Sequence, residues 1–146
     1  MKKGDIVYCI NESSFSDHIL KRKSYVIQDI KQDLLRVFNT RNKLVWLPEY
    51  CFTKEEMPDI KSIIIDDEIT DSHNDYIEVT IEFSDGVKRW TSFITINKLN
   101  SLFNEFRDYV LGNELIIVKE VNETIIKRTI IELDKKDELY EMTKEL

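Results

Sequence analysis

The stretch Tyr76-Ile77-Glu78-Val79-Thr80-Ile81-Glu82-Phe83 alternates between core-seeking and water-seeking positions without a fault. A repeat of two residues belongs to a strand with one face in a core and the other in solvent, and no helix satisfies it. Ser84-Asp85-Gly86 follows, and Asp-Gly is a strong hairpin signal because its turn needs positive φ. The run Val87 to Ile94 then returns against the first strand. Alternation puts Arg89, Thr91 and Phe93 on one face and Lys88, Trp90 and Ser92 on the other. Any fold for this chain has to be built around that hairpin. Lys88 and Arg89 are expected to meet Glu78 and Glu82 across the ladder as ordinary cross-strand charge pairs, in preference to a nucleic-acid contact.

The flanks extend the hairpin into a layered unit. Ile60 to Asp67, with its β-branched run Ile63-Ile64-Ile65, reads as a preceding strand. Thr95 is placed to cap a helix whose apolar stripe is Leu99, Leu102, Phe103, Phe106, Val110 and Leu111. Gly112-Asn113 is expected to end it, with the glycine in the left-handed position. Leu115-Ile116-Ile117-Val118 is a continuous apolar run that suits a strand covered on both faces. Asn122 caps a last helix carrying Ile125, Ile126, Thr129, Ile130 and Leu133. From Asp134 a further amphipathic turn or helix uses Leu139, Tyr140 and Met142. The order β-β-β-α-β-α over residues 60–146 makes an α+β sandwich, a mostly antiparallel sheet with helices on one side.

The first third has a different texture. Short strand-like runs at Asp5–Ile10, Ser24–Ile30, Asp33–Phe38, Leu44–Leu47 and Cys51–Thr53 are separated by tight polar connections. Pro48 is expected to break the ladder, because it has no N–H to donate. Five such strands bury their apolar faces best by closing into a small β-barrel. The opening Gly4-Asp5-x-Val7, the long first loop and the ending Trp46-Leu47-Pro48-Glu49-Tyr50 resemble the SH3-like barrel over residues 1–53. In peptide-binding members of that fold an acidic first loop and a Pro-x-x-Tyr ending line a polyproline groove. Here the ending is Pro48-x-Tyr50, and the first loop carries only Glu12 and Asp17. The aromatics Tyr8, Tyr25, Phe38, Trp46 and Phe52 are therefore expected in the barrel core. Residues 54–59, charged and containing Pro58, read as a short hinge.

Charge divides the chain at the same place. Residues 1–57 hold 10 Lys+Arg and 8 Asp+Glu, a balance of +2; residues 58–146 hold 11 and 20, a balance of −9. An acidic module repels polyanions, which argues against nucleic acid as its partner. The basic triplet Lys21-Arg22-Lys23 in the first module is the one feature that favours it. Only 3 glycines and 2 prolines occur, so long linkers are not expected. No apolar run reaches the roughly 18 residues of a membrane span, and no signal-like core follows Lys2-Lys3, so a cytoplasmic protein without a membrane partner is expected. Cys9 and Cys51 do not have a metal-ligand spacing and are expected as reduced, partly buried thiols.

The second module also resembles a family. Ile60-Lys61-Ser62-Ile63, the hairpin through Trp90-x-x-Phe93-x-Thr95, the helix containing Leu99, the strand Leu115-Ile116-Ile117-Val118 and a closing helix are similar in order to the immunity protein 8 family of bacterial polymorphic toxin systems. The resemblance spans about residues 60–133 and implies a non-enzymatic protein that neutralises a cognate toxin by docking to it. Many such toxins are basic nucleases, which an acidic surface would suit.

No catalytic set competes with that reading. His18 and His73 fall in polar loops of different modules. No glycine-flanked nucleophile, HExxH or phosphate-cradling loop is present. The densest constellation is Asp66-Asp67-Glu68-x-x-Asp71-x-His73-x-Asp75. Carboxylates with an imidazole can hold Mg²⁺ or Mn²⁺, as a metal-dependent hydrolase would require, but the spacing is not that of a calcium loop and lacks its glycine. No metal or other cofactor is expected. A dense negative patch instead steers a basic protein partner. The expected partner-binding residues are Asp66, Asp67, Glu68, Asp71, Asp75, Glu78 and Trp90. The competing readings are an SH3-like adaptor or nucleic-acid-associated module, and the hydrolase.

Overall fold

In the computed structural model, which describes residues 1–105, 108 and 112–146, the alternating run forms a strand over its whole length. The chain divides into two compact units. The first comprises Met1–Pro58 with Asp134–Asp137, and the second comprises Asp59–Leu133 with Glu138–Leu146. Each has its own apolar core.

The first unit contains β1 (Ile6–Cys9), β2 (Ser24–Val26), β3 (Asp29–Lys31), β4 (Leu34–Phe38), β5 (Leu44–Pro48), a 3₁₀ turn (Glu49–Cys51) and β6 (Phe52–Thr53). They make two three-stranded sheets, β2-β1-β6 and β3-β4-β5, and not one closed barrel. The reason lies at Ile27-Gln28, inside what the apolar pattern reads as one strand. Ile27 N–H donates to Asp5 O and Ile27 O accepts from Gly4 N, whereas Gln28 N–H donates to Arg36 O. Successive peptides thus serve different sheets, and the strand turns a corner between them. Pro48 does not break the ladder. It pairs with Leu34 as the last residue of an edge strand, where a missing N–H goes unnoticed. Only part of the expected aromatic core is realised. Tyr25 and Phe52 are buried edge-to-face at 5.9 Å between ring centres, while Phe38 and Trp46 face outward and Tyr8 is half-buried.

The second unit is mixed α+β. Its strands are β7 (Ile60–Ile65), β8 (Tyr76–Phe83), β9 (Lys88–Thr95), β10 (Leu115–Val118) and β11 (Lys144–Glu145), with helices α1 (Ile96–Glu105) and α2 (Glu123–Lys135). The sheet order is β10-β9-β8-β7, antiparallel except for the parallel pair β9–β10; β11 pairs with β9. Ile77, Val79, Ile81 and Phe83 of β8, with Phe93 of β9, pack against Val121, Ile126 and Ile130. The hairpin turn places Gly86 at φ 87°, and Val87 N–H donates to Asp85 Oδ1 at 3.0 Å. Thr95 and Asn122 cap their helices, accepting from Lys98 N at 3.3 Å and Ile125 N at 2.8 Å.

Two expectations fail here. Gly112 does not have positive φ; its lack of a side chain matters because a Cβ there would come within 3.2 Å of Leu115 Cβ. Leu115–Val118 is a sheet edge with Ile117 exposed, so it is not covered on both faces. The tail beyond α2 takes the turn of the expected turn or helix, with Leu139 buried, and ends in β11, where Arg89 holds Tyr140 and Thr143. Phe106, Val110 and Leu111 of the expected stripe lie outside the described residues. In α1 none of the described residues is buried.

Candidate functional site

Strand register decides which candidate residues meet. Glu78 pairs with Ser92 and Thr80 pairs with Trp90, so Glu78 and Trp90 are diagonal neighbours on the sheet face turned away from the core. Ile64 pairs with Thr80, and Ser62 with Glu82, on the same face. Asp66 joins them, because Thr80 Oγ1 donates to Asp66 Oδ2 at 2.7 Å. Tyr76 completes the group, its hydroxyl 2.8 Å from Ser92 Oγ, with 40% of the residue exposed. The result is a face, covered at Ser92 and Ile94 and open to water elsewhere, on which an indole, a phenol and an isoleucine lie among the carboxylates of Asp66, Glu78 and Glu82. The Glu82 carboxyl is held below its ordinary pKa by the Lys61 ammonium, which donates to it at 3.2 Å.

The other acidic candidates organise their own loop. Asp67 Oδ2 accepts from Glu78 N at 2.8 Å, and Asp71 Oδ1 accepts from His73 N at 3.0 Å. Asp75 does most: its carboxylate accepts from Thr70 N at 3.0 Å, Asp71 N at 3.3 Å and Tyr76 N at 3.0 Å. Burial pushes the Asp75 carboxyl up, but those hydrogen bonds outweigh it and hold its pKa below the ordinary value. Carboxylates engaged by backbone N–H groups are poorly disposed to converge on an ion. Among the described residues no three His, Cys, Asp or Glu side chains are grouped to hold a metal. Glu68 is exposed.

The Lys88-Arg89-Trp90 triplet has three separate roles. Lys88 pairs with Glu82 in register, as expected. Arg89 does not meet Glu78 or Glu82, because it lies opposite Ile81 on the core face. There its Nε donates to Thr143 Oγ1 at 2.8 Å, and Nη2 donates to Tyr140 O at 3.0 Å and Thr143 O at 2.8 Å. Its guanidinium also lies 4.6 Å from the centre of the Tyr140 ring, which stacks on Phe83. Arg89 is a clasp for the tail. Alternation alone places it on the side away from Glu78 and Glu82, so that signal was present in the sequence. Trp90 is left on the outer face with Tyr76.

The basic triplet of the first unit is mostly engaged within that unit. Lys21 Nζ donates to Ile10 O and lies 3.5 Å from Asp137 Oδ1. Arg22 grips Asp134 through two bonds of 2.5 and 2.9 Å. Lys23 remains exposed. The first-loop carboxylate Glu12 is buried and accepts from Lys21 N at 2.5 Å, so it does not line a peptide groove. Cys9 and Cys51 are free and buried. Burial pushes their thiols up, to about 12 and about 11.

No family model, curated protein or solved structure matches the chain. No helix among the described residues is long and apolar enough to cross a membrane.

Proposed function

We propose that the chain is a non-enzymatic binding protein of the immunity type. It neutralises a basic toxin domain by docking it on the outer face of β7-β8-β9. The observation that carries this reading is the register that brings Glu78, Trp90 and Asp66 onto one solvent-facing patch. A lysine or arginine from a partner can lay its aliphatic stem on the Trp90 ring and direct its charge to Glu78 and Asp66. The balance of −9 over residues 58–146 adds a long-range field that speeds the approach of a basic partner. Asp67, Asp71 and Asp75 contribute to that field while holding the loop in shape, and Glu68 adds an exposed charge. Two buried free thiols go with a reducing, cytoplasmic setting. For the first unit, two three-stranded sheets joined at a corner support the SH3-like reading.

Co-expression with toxins encoded beside this chain tests the proposal. Restored growth together with an isolable complex at micromolar concentration is the expected result. Neither rescue nor complex with any of them would remove it.

A further inference from the structure

The outer strand β7 leaves one edge unpaired among the described residues. It ends the sheet, and its only pairing among the described residues is with β8. Alternate N–H and C=O groups of an edge strand point outward unpaired, which is a template for another strand. Natural edges are guarded by charge, proline or a bulge. Here the bulge lies at the start, between Ile60 and Ser62, and so does the one cation, Lys61, whose side chain stays 65% exposed beside Glu82 of β8. The remainder, Ser62-Ile63-Ile64-Ile65, has no guard of its own. Both of its faces carry incompletely buried apolar groups. Ile63 and Ile65 sit half-buried at the margin of the core, and Ile64 is 41% exposed on the other side.

We infer that this edge pairs with a second copy of the chain, the two β7 strands running antiparallel about a two-fold axis at Ile64. Strand geometry restricts the choice. Residues directly opposite one another share a face, so a two-fold axis normal to the sheet must pass through a residue position. Centred on Ile64, the pairing stacks Ile64 on its counterpart and sets Ile63 against Ile65 of the second copy. Ser62 then faces Asp66 of the second copy, and Lys61 comes to the Asp66-Asp67-Glu68 end. Centred on Ile63, Lys61 would instead face Ile65, and Asp66 would face Ile60. A parallel arrangement would place the three carboxylates of the copies side by side. Charge therefore selects the antiparallel, Ile64-centred register. The contact does not rest on the toxin-docking reading, although Ile64 and Asp66 belong to that face as well. A strand pair this short buries less than the roughly 1,600 Å² of a standard interface, so the dimer should be a weak one of micromolar affinity.

Sedimentation velocity of the full chain, from low to hundreds of micromolar, reads the dimer directly. A concentration-dependent shift to dimer is expected, and it is abolished in Ile64→Lys, which sets two ammonium groups together at the axis. Ile64 is exposed, so this variant keeps its fold, as circular dichroism checks. Ile64→Cys is expected to form a disulfide-linked dimer under mild oxidation, because directly opposite Cα atoms of an antiparallel pair lie about 4.5–5.5 Å apart, within disulfide reach. Ile117→Cys, on the opposite edge, should dimerise like the wild type but form no disulfide-linked dimer. A monomer at every concentration, a dimer that survives Ile64→Lys, or equal cross-linking of both cysteine variants would overturn the inference.

Discussion

Arg22 adopts φ 70°, left-handed backbone that a residue with a side chain rarely takes, while gripping Asp134 with both arms of its guanidinium. The two side chains are only 16% and 7% exposed, so each ion depends on the other for what it has lost in hydration. Asp134→Ala removes that carboxylate from a largely buried cation. It is expected to destabilise the chain by about 3–5 kcal/mol in urea unfolding. A change under about 1 kcal/mol would mean that water already serves the guanidinium. The two cysteines give a second test at this scale. With burial pushing Cys9 up to about 12 and Cys51 up to about 11, neither is a thiolate at pH 8. Native protein should not react with Ellman's reagent, and both thiols should react once it is unfolded. Rapid labelling of the native chain would contradict the burial. Nothing in the local sequence signals the Arg22–Asp134 pair, whose members lie 112 positions apart.

At the scale of elements, legibility followed the length of the periodic signal. The strand Tyr76–Phe83 coincides with the eight-residue alternation, and Thr95 and Asn122 cap their helices as side-chain chemistry predicts. The corner at Ile27-Gln28 escaped because the apolar pattern runs through it unbroken; only the hydrogen bonds change partner there. The two-residue strand Lys144–Glu145 is too short to have a period, and it forms because Arg89 clasps the tail beside β9. Arg89→Ala should therefore free the tail, raising amide exchange at Leu146, whose N–H donates to Lys88 O, and leaving exchange in β8 unchanged. Unchanged protection of Leu146 would contradict the clasp. The loop between β7 and β8 has its own pH signature. The Asp75 pKa is depressed in the folded state, so its contribution is present above the ordinary carboxylate pKa and is lost as pH falls through the folded value. Protection of the Thr70 and Tyr76 amides should fade below about pH 4 and should become independent of acid in Asp75→Asn. Fading at the same pH in the variant would assign the effect to another group.

For the whole molecule, composition makes visible a change of charge balance near residue 58, while the two units have separate cores and the first takes in Asp134–Asp137 as well. What composition cannot supply is the pairing register, and the candidate site depends on it. The sequence leads one to expect a patch of six carboxylates with Trp90. Register and hydrogen bonding draw Glu78, Trp90 and Asp66 onto one face, engage Asp67 with the Glu78 N–H of β8, and engage Asp71 and Asp75 with backbone N–H groups in and beside the loop. Tyr76 and Ile64, which no charge argument singles out, belong with the first group. The most direct measurement is the affinity of the adjacently encoded toxin domain for the wild-type chain and for the double variant Glu78→Lys/Trp90→Ala. Both changes fall on the solvent-facing side of the sheet. The account predicts a loss of at least about a hundredfold in Kd, since a central aromatic and a reversed charge each remove about 2 kcal/mol or more at a docking surface. Equal Kd values for the two proteins would contradict it.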